Sequence, residues 1–497
     1  MTKYLLGIDN GGTVCKVGLF DLAGKELAIA SNKTDVFSPK PDFFELDIEK
    51  MWLGTANAIK TVLDKTKIDP GDIVCIAGAG HGNGLYLIDE NGKAIGNGIM
   101  STDSRSKDLI KKWQSKNVHD KIYQSTGQSL WPGMTPAILA WLKENEPERL
   151  NKAKYILMCK DFIRSRLTGQ YFSDITDMSG ANLINLKKGQ YDKDVLQAFG
   201  IEDIFDKLPP LKRPDDICGY VTEQAAIQTG LKSGTPVAGG LFDIDACALA
   251  CGITETSQLC MVVGTWGNNQ YIATEPVLDK DFFMSTCFCV KDYYLMLEGS
   301  PTSASNLEWF IKNIINYTND IENIYDYCNQ QVATTNPETS ELIYLPFVYG
   351  SNVNPDAKGC FIGMDGSSNI ANMLRAIYEG VIFSHKWHLE RLLKFRKWPE
   401  NIRLTGGGCR SEVWMQVFAD CLGVPIEIPA GTELGTAGAA ICGAVASKCY
   451  ESYADAIDNM VKMDRKYLPD NTKIKIYENK YKRYKKTIEA LDNAWPL

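Results

Sequence analysis

Residues 4–20 read YLLGIDNGGTVCKVGLF, and this stretch decides how the fold begins. Two apolar runs enclose a short polar turn, and Asn10-Gly11 between such runs is a strong signal for a tight β-hairpin. The pattern predicts strands over 4–8 and 14–20, followed by a third strand over 27–32. A carboxylate, two glycines and a hydroxyl fall together in the turn, which makes it the first candidate for a binding site.

The following segments predict an α/β chain with a repeated unit. A helix over 48–64 and a strand over 73–79 come after the hairpin, an order typical of an α/β layer that begins with antiparallel strands. Later, after a helix over 244–251, strands over 258–263 and 270–273 again flank a glycine turn. The repetition predicts a duplicated domain with one binding turn in each half.

Three parts are predicted along the chain: residues 1–245, residues 246–450 and residues 451–497. With 497 residues, the chain is longer than one hydrophobic core usually needs. The last part contains a basic amphipathic segment over 473–491, whose lysines we expect on the solvated face of a helix: Lys480, Lys482, Lys485 and Lys486.

Charge and hydrophobicity exclude several partners. The 53 Lys and Arg residues stand against 61 Asp and Glu residues, which gives a net charge of −8 at pH 7. Such a balance attracts neither nucleic acid nor an anionic membrane, so neither is expected as a partner. No uninterrupted apolar stretch reaches about 18 residues, so no membrane span is expected. An anionic ligand would have to be held by local amides and a metal ion.

Cysteine usage indicates the compartment. The fifteen cysteines are odd in number and scattered singly through apolar segments, as at Cys15, Cys75, Cys260 and Cys442. Free thiols in a reducing environment explain this pattern better than a disulfide framework does. The N-terminal sequence lacks the pattern of a secretory signal peptide. We therefore expect a cytoplasmic protein.

The first turn combines groups that suit a phosphate. Asp9 offers a carboxylate for a magnesium-bound water, and Thr13 offers a hydroxyl donor. Gly11 and Gly12 let backbone N–H groups approach an anion closely. The alternative is an ordinary hairpin turn, because Asn-Gly turns are common.

Two further glycine turns lie in the second half. Gly264 and Thr265 repeat the cluster of amides and a hydroxyl, while Gly407, Gly408 and Ser411 lie between a predicted strand and a predicted helix. Three such turns at strand ends indicate a nucleotide such as ATP, bound in a cleft between the two halves. The chain has no Walker A sequence and no Gly-x-Gly-x-x-Gly after the first strand, which argues against P-loop and Rossmann folds.

Asp243 follows an apolar strand-like run and is the candidate general base. A hydroxyl that attacks the last phosphate of ATP needs an oriented proton acceptor, which a carboxylate supplies. The alternative is a helix N-cap, a position where aspartate is common. The two roles are compatible, because α/β enzymes present catalytic groups at the carboxyl ends of strands.

The histidines divide into two kinds. His81 stands among glycines and is expected on an exposed turn, where it either contacts a sugar hydroxyl or faces solvent. His385 and His388 lie on an apolar predicted helix and are expected to be packing residues.

Three motifs carry a resemblance to a known family. They are the stretch 359–364 (GCFIGM), Asn372-Met373 and the stretch 376–379 (AIYE), and together they match the C-terminal signature of the FGGY carbohydrate kinases. The resemblance extends over nearly the whole chain, including the first turn and Asp243. It implies two duplicated ribonuclease-H-like α/β domains of the actin, hexokinase and Hsp70 superfamily, with a nucleotide cleft between them.

The resemblance also implies roles for individual residues. Asp243 is the implied general base, and Asp9 is the implied magnesium-binding residue. The implied ATP contacts are Gly11, Gly12, Thr13, Gly264, Thr265, Gly407, Gly408 and Ser411. The implied sugar contacts are His81, Asp103, Trp131 and Asp243, with the Trp131 ring as a stacking wall. For Asp103 the alternative is a structural ion pair with Arg105.

Within the family, the sequence is most similar to the L-xylulose kinases, for instance over 301–303 and 306–309. The expected reaction transfers phosphate from ATP to a terminal hydroxyl of L-xylulose. Because His81 and Ile138 depart from the family pattern, D-xylulose, ribulose, 3-keto-L-gulonate and erythritol stay open as acceptors. The alternative from another class is an actin- or Hsp70-like ATPase without sugar transfer. The sequence leaves open whether the protein forms a homodimer.

Overall fold

The computed structural model describes residues 2–279, 282–316, 321–351, 354 and 356–495. The chain folds into two compact units. The first unit contains the chain up to Thr254 together with Ile272–Met296 and Gly431–Val461, and the second contains Glu255–Tyr271, Leu297–Ala430 and the residues from Lys462 on. The boundaries predicted at residues 245 and 450 are cuts along the sequence and stay predictions.

The strands alternate with helices along most of the chain. In chain order the strands are β1 Tyr4–Asn10, β2 Val14–Asp21, β3 Glu26–Lys33, β4 Val36–Phe37, β5 Glu45–Leu46, β6 Ile73–Gly80, β7 Tyr86–Ile88, β8 Gly98–Ile99, β9 Tyr155–Leu157, β10 Ser173–Asp174, β11 Ile184–Asn185, β12 Gln190–Tyr191, β13 Leu211–Lys212, β14 Ile217–Tyr220, β15 Pro236–Ala238, β16 Leu241–Phe242, β17 Cys260–Val263, β18 Gly267–Ala273, β19 Met284–Cys287, β20 Tyr294–Ser300, β21 Ile343–Leu345, β22 Cys360–Ile362, β23 Ile402–Thr405, β24 Ile426–Pro429 and β25 Met463–Tyr467.

The helices are α1 Ile48–Thr66, α2 Lys107–Ser115, α3 Val118–Thr126, α4 Thr135–Asn145, α5 Pro147–Lys152, α6 Cys159–Thr168, α7 Ile175–Gly180, α8 Lys193–Phe199, α9 Glu223–Thr229, α10 Asp243–Ala250, α11 Ser305–Phe310, α12 Ile324–Ala333, α13 Ile370–Leu392, α14 Glu412–Leu422, α15 Leu434–Ala446, α16 Tyr453–Met460 and α17 Asn471–Asp492. Side-chain caps start several of them: the Asp47 carboxylate accepts from the first turn of α1, and Asn369 forms a capping box with Asn372 at α13.

The first unit is built on a sheet of order β14-β15-β6-β1-β2-β3, with β16 also paired to β6. Strands β1 and β2 form the antiparallel hairpin predicted from the Asn-Gly turn, and their pairing closes at Asn10 and Cys15. Strand β1 pairs in parallel with β6, which in turn pairs in parallel with β15 and β16. The sheet therefore begins with the predicted hairpin and continues as parallel strands.

Helices α1 and α15 cover opposite faces of this sheet. Leu6 and Ile8 of β1 share a hydrophobic core with Trp52 of α1. Between them, a Cβ added to Gly7 would lie 1.9 Å from the carbonyl oxygen of Thr436 in α15. Neighbouring residues of a strand point to opposite faces, so glycine at this position lets α15 lie directly on the sheet.

The second unit repeats the same pattern. Strands β17 and β18 form an antiparallel hairpin, β17 pairs in parallel with β23, and β23 pairs in parallel with β24. The hairpin whose first strand joins a later parallel strand thus occurs in both units, which is the repetition that the sequence predicted. At the end of the chain, α17 confirms the predicted helix. The prediction for Lys480 is wrong, because this side chain is buried and paired with Glu379.

Candidate active site

Two carboxylates meet at the carboxyl end of β6. On one side of β6, Asp9 of β1 pairs with Ala79, and on the other side Leu241 of β16 pairs with the same residue. Asp243 follows two residues later as the first residue of α10. The helix N-cap position belongs to Phe242, so Asp243 begins the first turn instead of capping it. Both carboxylates lie at the edge of the sheet where α/β enzymes present functional groups.

The surroundings of these carboxylates raise their pKa values. Burial is the main cause for Asp9, whose pKa rises to about 6 although the charge of Lys16 opposes the shift. Burial also raises the pKa of Asp243 well above its usual range, and the negative charges of Asp9 and Asp177 add to the effect. The Asp9 Oδ1 atom is buried without a hydrogen-bond partner. An unsatisfied buried carboxylate oxygen is a place where a cation or a proton gains free energy by binding.

A buried ionic cluster supports this corner of the first unit. Lys160 Nζ lies 3.3 Å from Asp161, 2.9 Å from Asp174 and 2.8 Å from Asp177. Burial raises the pKa of Asp177 to about 7, in spite of the lysine. The charge of Asp177 acts in turn on Asp243. Sequence reasoning missed this cluster, because only the fold brings Asp174 and Asp177 to the lysine.

The first turn has the predicted residues in a compact conformation. Gly11 N donates a hydrogen bond to Val14 O over 3.1 Å, and Thr34 N donates to Thr13 O over 2.8 Å. Gly11 and Gly12 are half-buried, while Thr13 is exposed. The hydroxyl predicted as a phosphate donor is therefore accessible.

A cavity of about 590 Å³ lies in the second unit. Its lining residues come from the turn after β17, from α11 and α12, and from the segment between β23 and α14: Gly264, Thr265, Ala304, Leu307, Glu308, Asn323, Tyr325, Asp326, Asn329, Tyr378, Gly407, Gly408, Arg410, Ser411 and Trp414. The five residues that the sequence predicted as ATP contacts in this half are all among them. A volume of this size is typical of pockets for small ligands.

Two neighbouring parallel strands present the glycine turns to this cavity. Val262 of β17 pairs with Thr405 of β23, so the two strands end at the same edge of the sheet. At Gly406 the backbone takes a φ of 101°, and a Cβ there would lie 2.5 Å from Val263 O. Only glycine satisfies both requirements. The chain then forms a short turn before Ser411 caps α14.

An aromatic and amide wall closes the cavity on the helix side. The rings of Tyr378 and Trp414 stack with their centroids 4.4 Å apart. Asn329 Oδ1 accepts hydrogen bonds from the Tyr378 hydroxyl over 2.8 Å and from the Ser411 hydroxyl over 2.6 Å. Ser411 is thus committed to its cap and to Asn329 while it lines the cavity. Sequence reasoning assigned no role to Asn329 or Trp414, since both lie on helices without a recognisable binding pattern.

His81 is buried, so the exposed position predicted for it is wrong. Its backbone N–H donates to Asn10 O over 3.0 Å, and its Nε2 atom lies 2.8 Å from the Tyr86 hydroxyl. Burial lowers the pKa of His81 to about 4, which makes the ring neutral at physiological pH. The surrounding glycines let the turn fold inward between β6 and β7.

Asp103 forms the ion pair with Arg105 that the sequence left as an alternative. Its two oxygens accept from the backbone N–H groups of Phe44 and Arg105, over 2.7 Å and 2.9 Å, and twice from the guanidinium, over 2.9 Å each. Four donors saturate a carboxylate. Trp131 is half-buried, and its ring packs against Gly133. The sugar contacts of Asp103 and Trp131 stay predictions.

No helix within the described ranges is long and apolar enough to cross a membrane. Among the described side chains, no group of three or more His, Cys, Asp or Glu residues could hold a metal ion by itself.

Comparisons with known proteins show the family to which the chain belongs. Residues 4–250 match the N-terminal domain and residues 259–447 the C-terminal domain of the FGGY family of carbohydrate kinases. A probable L-xylulose kinase of Haemophilus influenzae is 38% identical over 495 residues, which cover 99% of both chains. The L-xylulose/3-keto-L-gulonate kinase of Escherichia coli is 37% identical over 493 residues, covering 99% of this chain and 98% of the relative. The crystal structure of gluconate kinase from Lactobacillus acidophilus superposes with a TM-score of 0.91 at 24% identity, covering 99% of each chain.

Proposed function

Because this chain belongs to the FGGY family of carbohydrate kinases, we propose that it transfers the γ-phosphate of ATP to a terminal hydroxyl of L-xylulose. The observation that carries the choice of sugar is the similarity to two relatives whose names specify L-xylulose, at 38% and 37% identity over almost the entire chain. The name of the second relative adds 3-keto-L-gulonate, which makes this acid the next candidate acceptor.

Asp243 is the proposed general base. Its position at the carboxyl end of β6 supports this role, as do the raised pKa and the partly accessible side chain. In the reaction, the sugar oxygen forms a bond to the γ-phosphorus while the bond from that phosphorus to the leaving oxygen of ADP breaks. The hydroxyl proton passes to the Asp243 carboxylate. A base with a raised pKa holds this proton more firmly than an ordinary aspartate does.

Asp9 is the proposed magnesium-binding residue. Its unpartnered Oδ1 atom suits the ion, because magnesium prefers carboxylate and water oxygens and usually shares them with substrate phosphates. When bound, magnesium would offset negative charge on the phosphates. The Asp9 side chain would hold the ion's water ligands at the end of β1, with the charge of Lys16 nearby.

The glycine turns are the proposed ATP contacts. In the first unit, the N–H groups of Gly11 and Gly12 and the exposed Thr13 hydroxyl would donate to phosphate oxygens. In the second unit, Gly264 and Thr265 would take the same role. Three further residues that line the cavity would contact the adenosine: Gly407, Gly408 and Ser411. The cavity volume of about 590 Å³ leaves room for this part of ATP.

Each residue proposed to contact the sugar would make a different kind of interaction. His81 is neutral and bonded to Tyr86, so it would offer the sugar a fixed hydrogen-bonding group and no charge. Trp131 would offer an apolar ring face to the sugar's carbon skeleton. Asp103 would act through Arg105, since its own oxygens are saturated. Cytoplasmic location is proposed as well, supported by cysteines that are buried as thiols, for instance Cys15, Cys75 and Cys442.

The test is ADP release from ATP and magnesium in the presence of single acceptors. The panel is L-xylulose, D-xylulose, L-ribulose, D-ribulose, 3-keto-L-gulonate, erythritol and glycerol. The proposal predicts that L-xylulose gives the highest kcat/KM. A higher value for any other acceptor would replace L-xylulose, and equal ADP release with and without every acceptor would contradict sugar transfer on this panel.

A further inference from the structure

The turn between β17 and β18 is tied to the loop that follows β20. Gly264 O accepts a hydrogen bond from Ala304 N over 2.9 Å, and Thr265 O accepts from Ser303 N over 3.0 Å. The Ser305 hydroxyl also donates to Thr265 O, over 2.9 Å. The carbonyl groups of the proposed phosphate turn are therefore fixed by the loop. Any side chain that holds the loop also holds the turn.

A buried histidine joins this loop to the strand that leaves the turn. The Ser303 hydroxyl lies 2.9 Å from Nε2 of His385, and Nδ1 of the same ring lies 3.0 Å from Asn269 Oδ1 in β18. The amide of Asn269 donates to Glu298 O, which leaves its oxygen as the acceptor. The ring therefore donates from Nδ1 and accepts the serine proton at Nε2. All three side chains are at most 3% exposed.

His385 also packs against the turn itself. A Cβ added to Gly267, the first residue of β18, would lie 2.8 Å from Cε1 and 2.9 Å from Nε2 of the ring. Burial is the main cause that lowers the pKa of His385 to about 3, so the ring stays neutral and keeps both hydrogen bonds at physiological pH. The interpretation of His385 as a packing residue is thus incomplete, because both ring nitrogens are engaged.

We propose that His385 is a positioning residue for nucleotide phosphate: through Ser303 and Asn269 it holds the turn at Gly264 and Thr265 in the conformation that binds ATP. This proposal rests on the phosphate-binding role given to the turn under the proposed function. His385 does not line the cavity, so it acts through these neighbours. Without the ring, the turn would gain conformational freedom, which phosphate binding would then have to remove.

The proposal predicts an effect on phosphate binding that spares the nucleoside. The variants are Ser303→Ala, which removes one hydroxyl, His385→Leu, which removes both ring hydrogen bonds, and His385→Gln, which can restore one of them. His388→Gln is the matched control, because His388 lies one turn along α13 and bonds to Glu298 instead, over 3.3 Å. Calorimetry on the full chain would give the affinities for ATP with magnesium and for adenosine, without any sugar.

We expect Ser303→Ala to weaken ATP binding by about fivefold to tenfold, as the loss of one buried hydrogen bond implies. His385→Leu should weaken it further, and His385→Gln should recover part of the loss. Adenosine affinity should stay within about twofold of wild type in these variants, because adenosine has no phosphate for the turn to bind. His388→Gln should change neither the ATP affinity nor the adenosine affinity, because His388 bonds to the Glu298 side chain. An increased KM for ATP with an unchanged KM for sugar should accompany these losses.

Equal losses of ATP and adenosine affinity would overturn the proposal, because they would indicate a general structural role. Unchanged ATP affinity in Ser303→Ala would overturn it as well, and this variant decides alone if His385→Leu does not fold. Since these measurements contain no sugar, they stay informative if L-xylulose proves to be the wrong acceptor.

Discussion

At the scale of single residues, Asp243 differs from the neighbouring acid Asp245 in how accessible its side chain is. Asp245, two residues further along α10, accepts a hydrogen bond from Cys289 N over 2.9 Å and is fully buried. Asp243 is half-buried and begins the helix at the end of β16. A proton acceptor must be reachable by the hydroxyl that it deprotonates, and only Asp243 of the two meets this requirement.

Replacing Asp243 by asparagine should therefore remove the base without removing the nucleotide site. We predict that Asp243→Asn lowers kcat by about a hundredfold or more and leaves ATP affinity near wild type. Asp245→Asn is the matched control and should retain kcat within about threefold, because its contact is structural. Weakened ATP binding with kcat preserved in Asp243→Asn would contradict the assignment.

The buried carboxylate of Asp9 should set the acid limb of the activity profile. Its pKa is raised to about 6, so the carboxylate is charged above this pH and protonated below it. A protonated Asp9 would hold magnesium less well, and we predict that kcat/KM for magnesium-ATP falls as the pH drops through about 6. Steady-state rates between pH 4.5 and 8 provide the test. A profile that stays level down to pH 4.5 would show that Asp9 ionisation does not matter.

The sequence predicted where the candidate carboxylates lie in the fold better than it predicted how the other candidate residues are held. Asp9 and Asp243 could be found because each comes directly after an apolar run in the sequence, a pattern that depends on neighbours in the chain. The burial of His81 could not be found in this way, since it depends on Tyr86 and on a turn that folds inward. The saturation of Asp103 depends equally on a partner distant in sequence, Phe44.

At the scale of secondary structure, α15 shows how glycines allow close packing. A Cβ on Gly435 would lie 2.2 Å from Asp9 Oδ2, and a Cβ on Gly438 would lie 2.0 Å from Ala246 O in α10. The helix can therefore approach both the end of β1 and the helix that begins with Asp243. This contact places α15 directly behind the two carboxylates of the first unit.

We predict that Gly438→Ala destabilises the protein by about 1–3 kcal/mol, because the methyl group would overlap a backbone oxygen that cannot move alone. The matched control is Gly443→Ala in the same helix, where a Cβ would meet its nearest neighbour at 3.5 Å. This change should stabilise by about 0.5–1 kcal/mol, since alanine favours helix. Urea denaturation measures both, and equal effects of the two substitutions would contradict the packing argument.

The elements that could be predicted are those whose signals are local. The hairpin β1–β2 has its Asn-Gly turn, and the strand predicted before Gly407 is confirmed as β23, Ile402–Thr405. Lys480 was placed wrongly because helix periodicity alone does not reveal a partner. Its partner Glu379 lies on α13, a hundred residues away in sequence, and turns an expected solvent-facing position into a buried ion pair.

At the scale of the whole molecule, the thiols report on the integrity of both units. Of the fifteen cysteines, Cys247, Cys360 and Cys449 are half-buried and the others are buried. Burial raises the pKa of Cys15 and of Cys75 to about 12, which keeps these thiols protonated and unreactive. We predict that Ellman's reagent labels at most three thiols quickly in the native protein and all fifteen after denaturation. Rapid labelling of more than three would contradict the packing described for the two units.

The repeated α/β unit could be predicted at this scale, because a hairpin with a glycine turn occurs in each half of the sequence. The family was recognised from a different signal, the motifs over 359–364, 372–373 and 376–379. The return of two later segments of the chain to the first unit could not be predicted. Ile272–Met296 and Gly431–Val461 belong to the first unit although they lie in the second half of the chain. Nothing in their composition marks this return, which depends on the packing of β19 and α15.

The most direct measurement is the rate of sugar-dependent ADP formation on L-xylulose and on D-xylulose, with the sugar phosphate quantified in the same reaction. We predict one sugar phosphate for each ADP, a higher kcat/KM for L-xylulose, little ADP without sugar, and loss of the reaction in Asp243→Asn. ADP formation that is independent of sugar, or undiminished in Asp243→Asn, would contradict a sugar kinase with Asp243 as its base.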